Sequence, residues 1–155
     1  MLPAGYTNAI FQYHKLVCRD PAQNRIFVHD TDTGKRVKEI TDVQSDVLLS
    51  NRGVVYKDLA ENIYLQSWNG ETAELLYEAG AHDQESVNYG TYDEEFLYGF
   101  VEEKTQCTLI KLSWEGGYER SKTFTGVEKA VQLGFSVNHG VAGYWQNGQV
   151  IFEKV

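Results

Sequence analysis

The chain is predicted to be an all-β protein built from four copies of a short antiparallel-strand unit, the last incomplete. Three observations predict this. Ten Tyr, seven Phe and three Trp stand against one Met and two Pro, and aromatic side chains fill pleated surfaces well. Short segments echo one another along the chain, the signature of a repeat. No stretch carries helical periodicity with capping residues, whereas Gly- and Asn-containing turn signals recur throughout.

The echoes are specific. Val17-Cys18-Arg19-Asp20-Pro21-Ala22-Gln23-Asn24 matches Val55-Tyr56-Lys57-Asp58-Leu59-Ala60-Glu61-Asn62 at Val, the basic residue, Asp, Ala and Asn. Ser67-Trp68-Asn69-Gly70 matches Ser113-Trp114-Glu115-Gly116, and Leu97-Tyr98-Gly99-Phe100 matches Val141-Ala142-Gly143-Tyr144. These place units near residues 8–41, 46–80, 86–126 and 129–155 of a single domain spanning 1–155.

The first unit reads as strands at Ala9-Ile10-Phe11, Leu16-Val17-Cys18, Ile26-Phe27-Val28 and Val37 to Ile40. A tight turn falls at Thr31-Asp32-Thr33-Gly34-Lys35, where Gly supplies a positive φ. The second unit turns at Asn69-Gly70, a strong hairpin signal, and the third at Glu115-Gly116-Gly117. Val54-Val55-Tyr56 and Phe96-Leu97-Tyr98 are apolar at consecutive positions and predict strands covered on both faces. Val37-Lys38-Glu39-Ile40 carries charge and predicts an outer, partly wet strand. The fourth unit reaches a third strand at Val150-Ile151-Phe152-Glu153 and stops at Val155. A second copy completing a ring, a longer parent chain, or closure through Leu2 to Tyr6 would each account for this.

Each unit resembles a β-propeller blade of the WD40 or PQQ-repeat type, with four antiparallel strands in about 40 residues. Ile26-Phe27-Val28-His29-Asp30-Thr31-Asp32-Thr33-Gly34-Lys35 is similar to the third strand and turn of such repeats. The blade-opening Gly-His is absent, and Trp68 and Trp114 are followed by Asn69 and Glu115, not Asp. An up-and-down β-barrel is the alternative architecture, because it also strings short strands on tight turns.

The formal charge is −8, from 22 acidic and 14 basic residues. That disfavours a general phosphate-binding role, since duplex affinity rests largely on Lys and Arg releasing counterions, and it suits a basic protein partner. The resemblance implies that turns between second and third strands share one end with the inter-unit connections. That end would carry Asp20, Asp42, Asp58, Glu61, Asp83, Glu85, Glu102, Glu103 and Glu128, with few basic residues, chiefly Lys104. The expected function is therefore a non-enzymatic protein-interaction module presenting an acidic face, with no cofactor, no direct nucleic-acid contact and no membrane segment. A small-ligand-binding or hydrolytic propeller using Asp46, Asp93 and Glu94 is the second reading. An acidic protein imitating nucleic acid is the third. A homodimer completing a ring is the expected assembly.

Other candidate chemistry reads as structure. Asp30-Thr31-Asp32-Thr33-Gly34 begins like a calcium loop, but the twelfth position is Thr41 where a bidentate Glu is needed; a hairpin turn with Asp capping is expected. His82-Asp83, with Glu85 nearby, is expected in a polar connection. His14, His29 and His139 lack metal-ligand spacing. Asp20, Asp58, Asn24 and Asn62 are expected to cap and shape the turns. Cys18 and Cys107 sit in apolar runs as buried thiols, which with the absence of a signal peptide points to the cytosol.

Overall fold

The computed structural model describes residues 7–155, without the side chains at 7, 8, 45 and 46; the expected roles of Leu2 to Tyr6 and of the Asp46 carboxyl lie outside the described residues. Among the described residues, fifteen strands form four separate antiparallel sheets. The first is β1 (Thr7–Gln12), β2 (Lys15–Asp20), β3 (Arg25–Asp30) and β4 (Arg36–Ile40). The second is β5 (Val43–Leu49), β6 (Gly53–Asp58), β7 (Ile63–Ser67) and β8 (Glu74–Tyr77). The third is β9 (Val87–Tyr92), β10 (Phe96–Glu102), β11 (Gln106–Ser113) and β12 (Tyr118–Thr125). The fourth is β13 (Ser136–Asn138), β14 (Val141–Gln146) and β15 (Gln149–Lys154). Strands within each sheet follow chain order, as short hairpin links dictate. Four separate sheets replace the single closed sheet of the barrel alternative. The only helical turns among the described residues are 3₁₀ segments of three or four residues.

Burial follows the apolar pattern. β6 and β10 are covered along both faces, whereas β4 is exposed except at its end.

The repeat is a hydrogen-bond pattern as much as a sequence pattern. Trp68 Nε1 donates to the Ser50 carbonyl at 3.1 Å, just past β5, and Trp114 Nε1 donates to the Asp93 carbonyl at 3.1 Å, just past β9. Ser67 Oγ accepts from Gly70 N, and Ser113 Oγ from Gly117 N, both at 2.8 Å. At the preceding turns, Ser50 Oγ accepts from the amides of Arg52 and Gly53. The Asp93 carboxyl does the same for Glu95 and Phe96.

Two expectations are corrected. Asn69-Gly70 is not a two-residue turn: six residues separate β7 from β8, and Gly70 does not adopt a positive φ. Gly70 is required because a Cβ there would lie 2.2 Å from Ser67 Oγ, the atom that caps its own amide. Asp20 does not cap its turn; it faces Arg25 at 3.5 Å, while Asp58 does cap, accepting from Ala60 N at 2.8 Å. The turn at Thr31–Lys35 forms as expected, with Asp30 accepting from Thr33 N and Oγ1.

The chain divides into two compact units, residues 1–60 with 65–73, and residues 61–64 with 74–155. In the first, Val17, Cys18, Ile26, Val28, Val54 and Val55 are buried. In the second, Tyr98, Phe100, Leu109, Phe124, Val137 and Tyr144 form the core, with Phe135 packed against it. Edge-to-face pairs order this core: Phe100–Phe135 at 5.1 Å and 86°, Phe124–Tyr144 at 5.1 Å and 77°. Cys18 and Cys107 are free and buried, and burial pushes both thiols up.

Gly53 tests the close strand approach in the first unit, since a Cβ there would lie 2.1 Å from the Gln66 carbonyl oxygen. Gly53→Ala is expected to lose about 2–4 kcal/mol, because backbone cannot yield as a side chain can. Gly90→Ala, which meets nothing within 4 Å, is expected to stay within about 1 kcal/mol. Urea midpoints of the two variants provide the check; equal midpoints would refute the strand contact.

Candidate interaction surface

The second unit holds six of the nine expected carboxylates, four of them in side-chain contacts. Glu61 accepts from Ser86 Oγ at 2.5 Å. Beside Ser86, Glu85 accepts from Tyr118 Oη at 3.0 Å and pairs with Arg120. Arg120 also reaches Glu103 at 3.5 Å. Next to it, Glu102 accepts from Lys129 Nζ at 2.9 Å and from Ala130 N at 2.8 Å, and Glu128 adjoins Lys129. Asp83 closes the 3₁₀ segment Ala79–His82 with a left-handed φ of 53°. Asp83, Glu103 and Glu128 are exposed; Glu61, Glu85 and Glu102 are half-buried.

The half-buried members are fastened into the fold. Burial alone would raise the Glu102 carboxyl, but the Ala130 amide and the Lys129 ammonium outweigh it and hold the carboxyl below its ordinary value. Burial, then the hydrogen bond to Glu85, push the Tyr118 hydroxyl up. The basic residues here exceed the sequence expectation of chiefly Lys104, because Arg120 and Lys129 pair with these carboxylates. Arg120 was not legible as a partner. A β-bulge sets Arg120 opposite Ile110 and Lys122 opposite Leu109, adjacent residues of β11. The two cations therefore point to opposite faces, and Lys122 serves Glu153 at 2.5 Å and Tyr144 at 2.7 Å instead.

The other three carboxylates belong to the first unit. Asp20 lies near Arg25, Asp58 caps its turn, and Asp42 accepts from Thr41 Oγ1 at 3.2 Å. Val43 N donates to the Asn24 carbonyl at 2.9 Å, which brings the β2–β3 turn and the β4–β5 connection together.

His82 departs from the expected polar connection. Its ring stacks 4.0 Å from Tyr118 and 5.2 Å from Tyr77. Its neighbour Ala79 is tied by its amide to Asn62 Oδ1 at 3.0 Å. Nothing in the residues around His82 signalled this, because both aromatic partners are distant or near only through a turn.

The hydrolytic reading relied on Asp46, whose carboxyl lies outside the described residues, and on Asp93 and Glu94. With Glu95, Phe96, Tyr98 and His139 these line a cavity of about 230 Å³. Glu94 pairs with His139 at 3.1 Å. Asp93 spends both oxygens on four donors: the amides of Glu95 and Phe96 at 2.9 Å, Tyr98 Oη at 2.8 Å and Gly140 N at 3.2 Å. Burial would raise this carboxyl, yet the four hydrogen bonds hold it below the ordinary range. Its four hydrogen bonds make it a structural anchor of the turn. A larger cavity of about 300 Å³ is lined by Tyr89, Tyr98, Phe100, Val131 and Phe135, with no carboxylate. Among the described residues, no three His, Cys, Asp or Glu are grouped to hold a metal ion, and no helix is long and apolar enough to cross a membrane.

No protein-family model matches the chain, and no curated protein matches its sequence. Solved structures do resemble it. Kluyveromyces lactis Hsv2p superposes with a TM-score of 0.65 at 10% identity, covering 99% of this chain and 50% of that one. Streptogramin B lyase gives 0.57 at 12% identity over 98% and 55%, and the Nup159 N-terminal domain 0.52 at 10% over 97% and 47%. All three are β-propellers. The chain has a β-propeller fold. Among the described residues it has three four-stranded blades and one of three strands, and it spans about half the length of the propellers it matches. Identities this low carry the fold alone, and propellers include both a lyase and proteins not named as enzymes.

The Asp93 anchor generates a pH test. Its folded value lies below the unfolded one, so its stabilisation is full above about pH 4, the ordinary carboxylate value, and fades as pH falls below it. Asp93→Asn is expected to lose about 2–3 kcal/mol at pH 7 and to flatten the acid limb of the stability curve. Urea midpoints at successive pH values measure this; parallel curves for both proteins would remove the anchor.

Proposed function

We propose that this propeller is a non-enzymatic protein-interaction module that presents an acidic loop end to a basic protein partner. The observation that carries the reading is the set of carboxylates from Glu61 through Glu85 and Glu103 to Glu128, joined partly by side-chain contacts and partly by adjacency along the chain, of which Asp83, Glu103 and Glu128 are exposed. Arg120 and Lys129 neutralise the half-buried members and fix the loops, so the exposed carboxylates project from a rigid support. Preorganised charge of this kind steers association more than it adds affinity. Asp20, Asp42 and Asp58 supply the same chemistry in the first unit. Free, buried thiols at Cys18 and Cys107 support work in a reducing compartment such as the cytosol.

Titration of the labelled protein with a lysine-rich peptide, followed by amide chemical shifts, tests the proposal. Perturbations are expected at residues 83–86, 102–105 and 126–130, and should weaken as salt shortens the screening length from roughly 30 Å to 8 Å. Asp83→Asn/Glu103→Gln/Glu128→Gln should abolish them. Shifts spread evenly over the surface, or unchanged by salt, would defeat the reading.

A further inference from the structure

Gly53, Gly90, Gly99 and Gly143 are the glycines that lie within strands among the described residues. Glycine loses more conformational freedom on folding than any other residue, so a strand glycine needs a reason. Three of these have one. A Cβ would lie 2.1 Å from the Gln66 carbonyl oxygen at Gly53, 2.6 Å from Val87 Cγ1 at Gly99, and 3.1 Å from the Phe152 ring at Gly143. Gly90 is different: a Cβ there would meet nothing within 4 Å, and its φ is not positive. It is the extra residue of a β-bulge, between Tyr89 opposite Gly99 and Thr91 opposite Tyr98. A bulge without a left-handed φ accepts a side chain, so the bulge alone does not select glycine.

What Gly90 leaves open is the cavity of about 300 Å³ between β9, β10 and the segment after β12. The bulge also decides what faces that cavity. Asn88 lies opposite Phe100 and Thr91 opposite Tyr98. Directly opposed residues share a face, as do Tyr98 and Phe100, two apart on one strand. In a regular strand Asn88 and Thr91, three apart, would point to opposite faces. The extra residue puts both on the cavity wall with the Tyr98, Phe100 and Phe135 rings. Neither the Asn88 amide nor the Thr91 hydroxyl is spent on a hydrogen bond among the described residues, whereas the Tyr98 hydroxyl is committed to Asp93.

The opposite wall is fixed in advance. Ala130 N donates to Glu102 at 2.8 Å, Gln132 Oε1 accepts from Lys129 N at 3.2 Å, and Gly134 N donates to the Val131 carbonyl at 3.2 Å. A pre-formed wall spares a ligand the cost of ordering a loop. No charged side chain lines the cavity, so an ion would lose water there without gaining a partner. Aromatic walls suit a flat ring, and a free Asn amide offers a donor and an acceptor side by side. We propose that this cavity binds a small, flat, uncharged aromatic molecule that carries an amide-type edge. The exposed carboxylates of the acidic end take no part, so either proposal can fail without the other.

Titration of the isotope-labelled protein with carbostyril, a flat bicyclic lactam, followed by amide chemical shifts, tests this. Saturable perturbations are expected at residues 88–91 and 130–135, with a Kd of about 1 mM or tighter. Quinaldate, a carboxylate on a ring system of the same size, should bind at least about tenfold more weakly. Gly90→Ala should weaken the carbostyril complex and Gly90→Leu should abolish it, because the added side chain takes the place of the ring. Asn88→Leu should weaken it about fivefold through the lost hydrogen bond. Thermal unfolding by circular dichroism should show all three variants folded, since a Cβ at Gly90 meets open space and Asn88 is exposed. No localised shifts at millimolar carbostyril, equal binding of quinaldate, or a Gly90→Leu variant that binds as the parent does would each overturn the proposal.

Discussion

Asp93 holds the second unit together through one small set of hydrogen bonds. Its carboxyl accepts from the turn that follows it, from the Tyr98 hydroxyl within the same sheet, and from the Gly140 amide of the next sheet. Its carbonyl accepts from Trp114. Strands covered on both faces leave no water to satisfy stray backbone groups, so every turn needs an internal acceptor. Asp93 meets that need for two sheets at once. Tyr98 feels the reciprocal effect: burial, then the carboxylate beside it, push its hydroxyl far above its ordinary range. Ser50 fills the corresponding position in the second sheet with a neutral oxygen and reaches only its own turn.

This comparison explains what could be read from the residues alone. The Ser67-Trp68 and Ser113-Trp114 echo was visible because both copies use the pair alike: each Ser hydroxyl accepts a glycine amide of its own turn and each indole donates to the carbonyl just past the first strand of its sheet. The doubly covered strands were visible as consecutive apolar runs, and the wet outer strand β4 as interspersed charge. Turn conformation was less legible. Asn69-Gly70 has the composition of a tight turn, yet the chain spends its glycine on clearance beside Ser67 Oγ. The destination of Arg120 was not legible at all, since one bulge reverses the face on which alternation would place it.

The carboxylates around Glu85 and Glu102 illustrate how charge can serve two purposes in neighbouring segments. Glu85 and Glu102 act within the fold, bracing β12 and the segment that begins at Lys129, and their partners offset much of their field. Exposed Glu103 also meets Arg120 and the Gln106 side chain, whereas no side-chain contact ties Asp83 or Glu128 among the described residues. Composition reports both kinds identically as negative charge, and only contact geometry separates them. The same distinction holds for aromatics: His82 stacks with Tyr77 and Tyr118 as part of the scaffold, while Trp145 and Phe152 face solvent.

Each compact unit encloses one cysteine, Cys18 in the first and Cys107 in the second. Both thiols are shielded from solvent and, with their protons held more tightly than usual, react slowly with alkylating agents. A reagent reaches either sulfur only through an opening of the structure around it. The chain thus contains a built-in pair of clocks, one per unit, and the ratio of their labelling rates reports whether the two halves breathe together or apart.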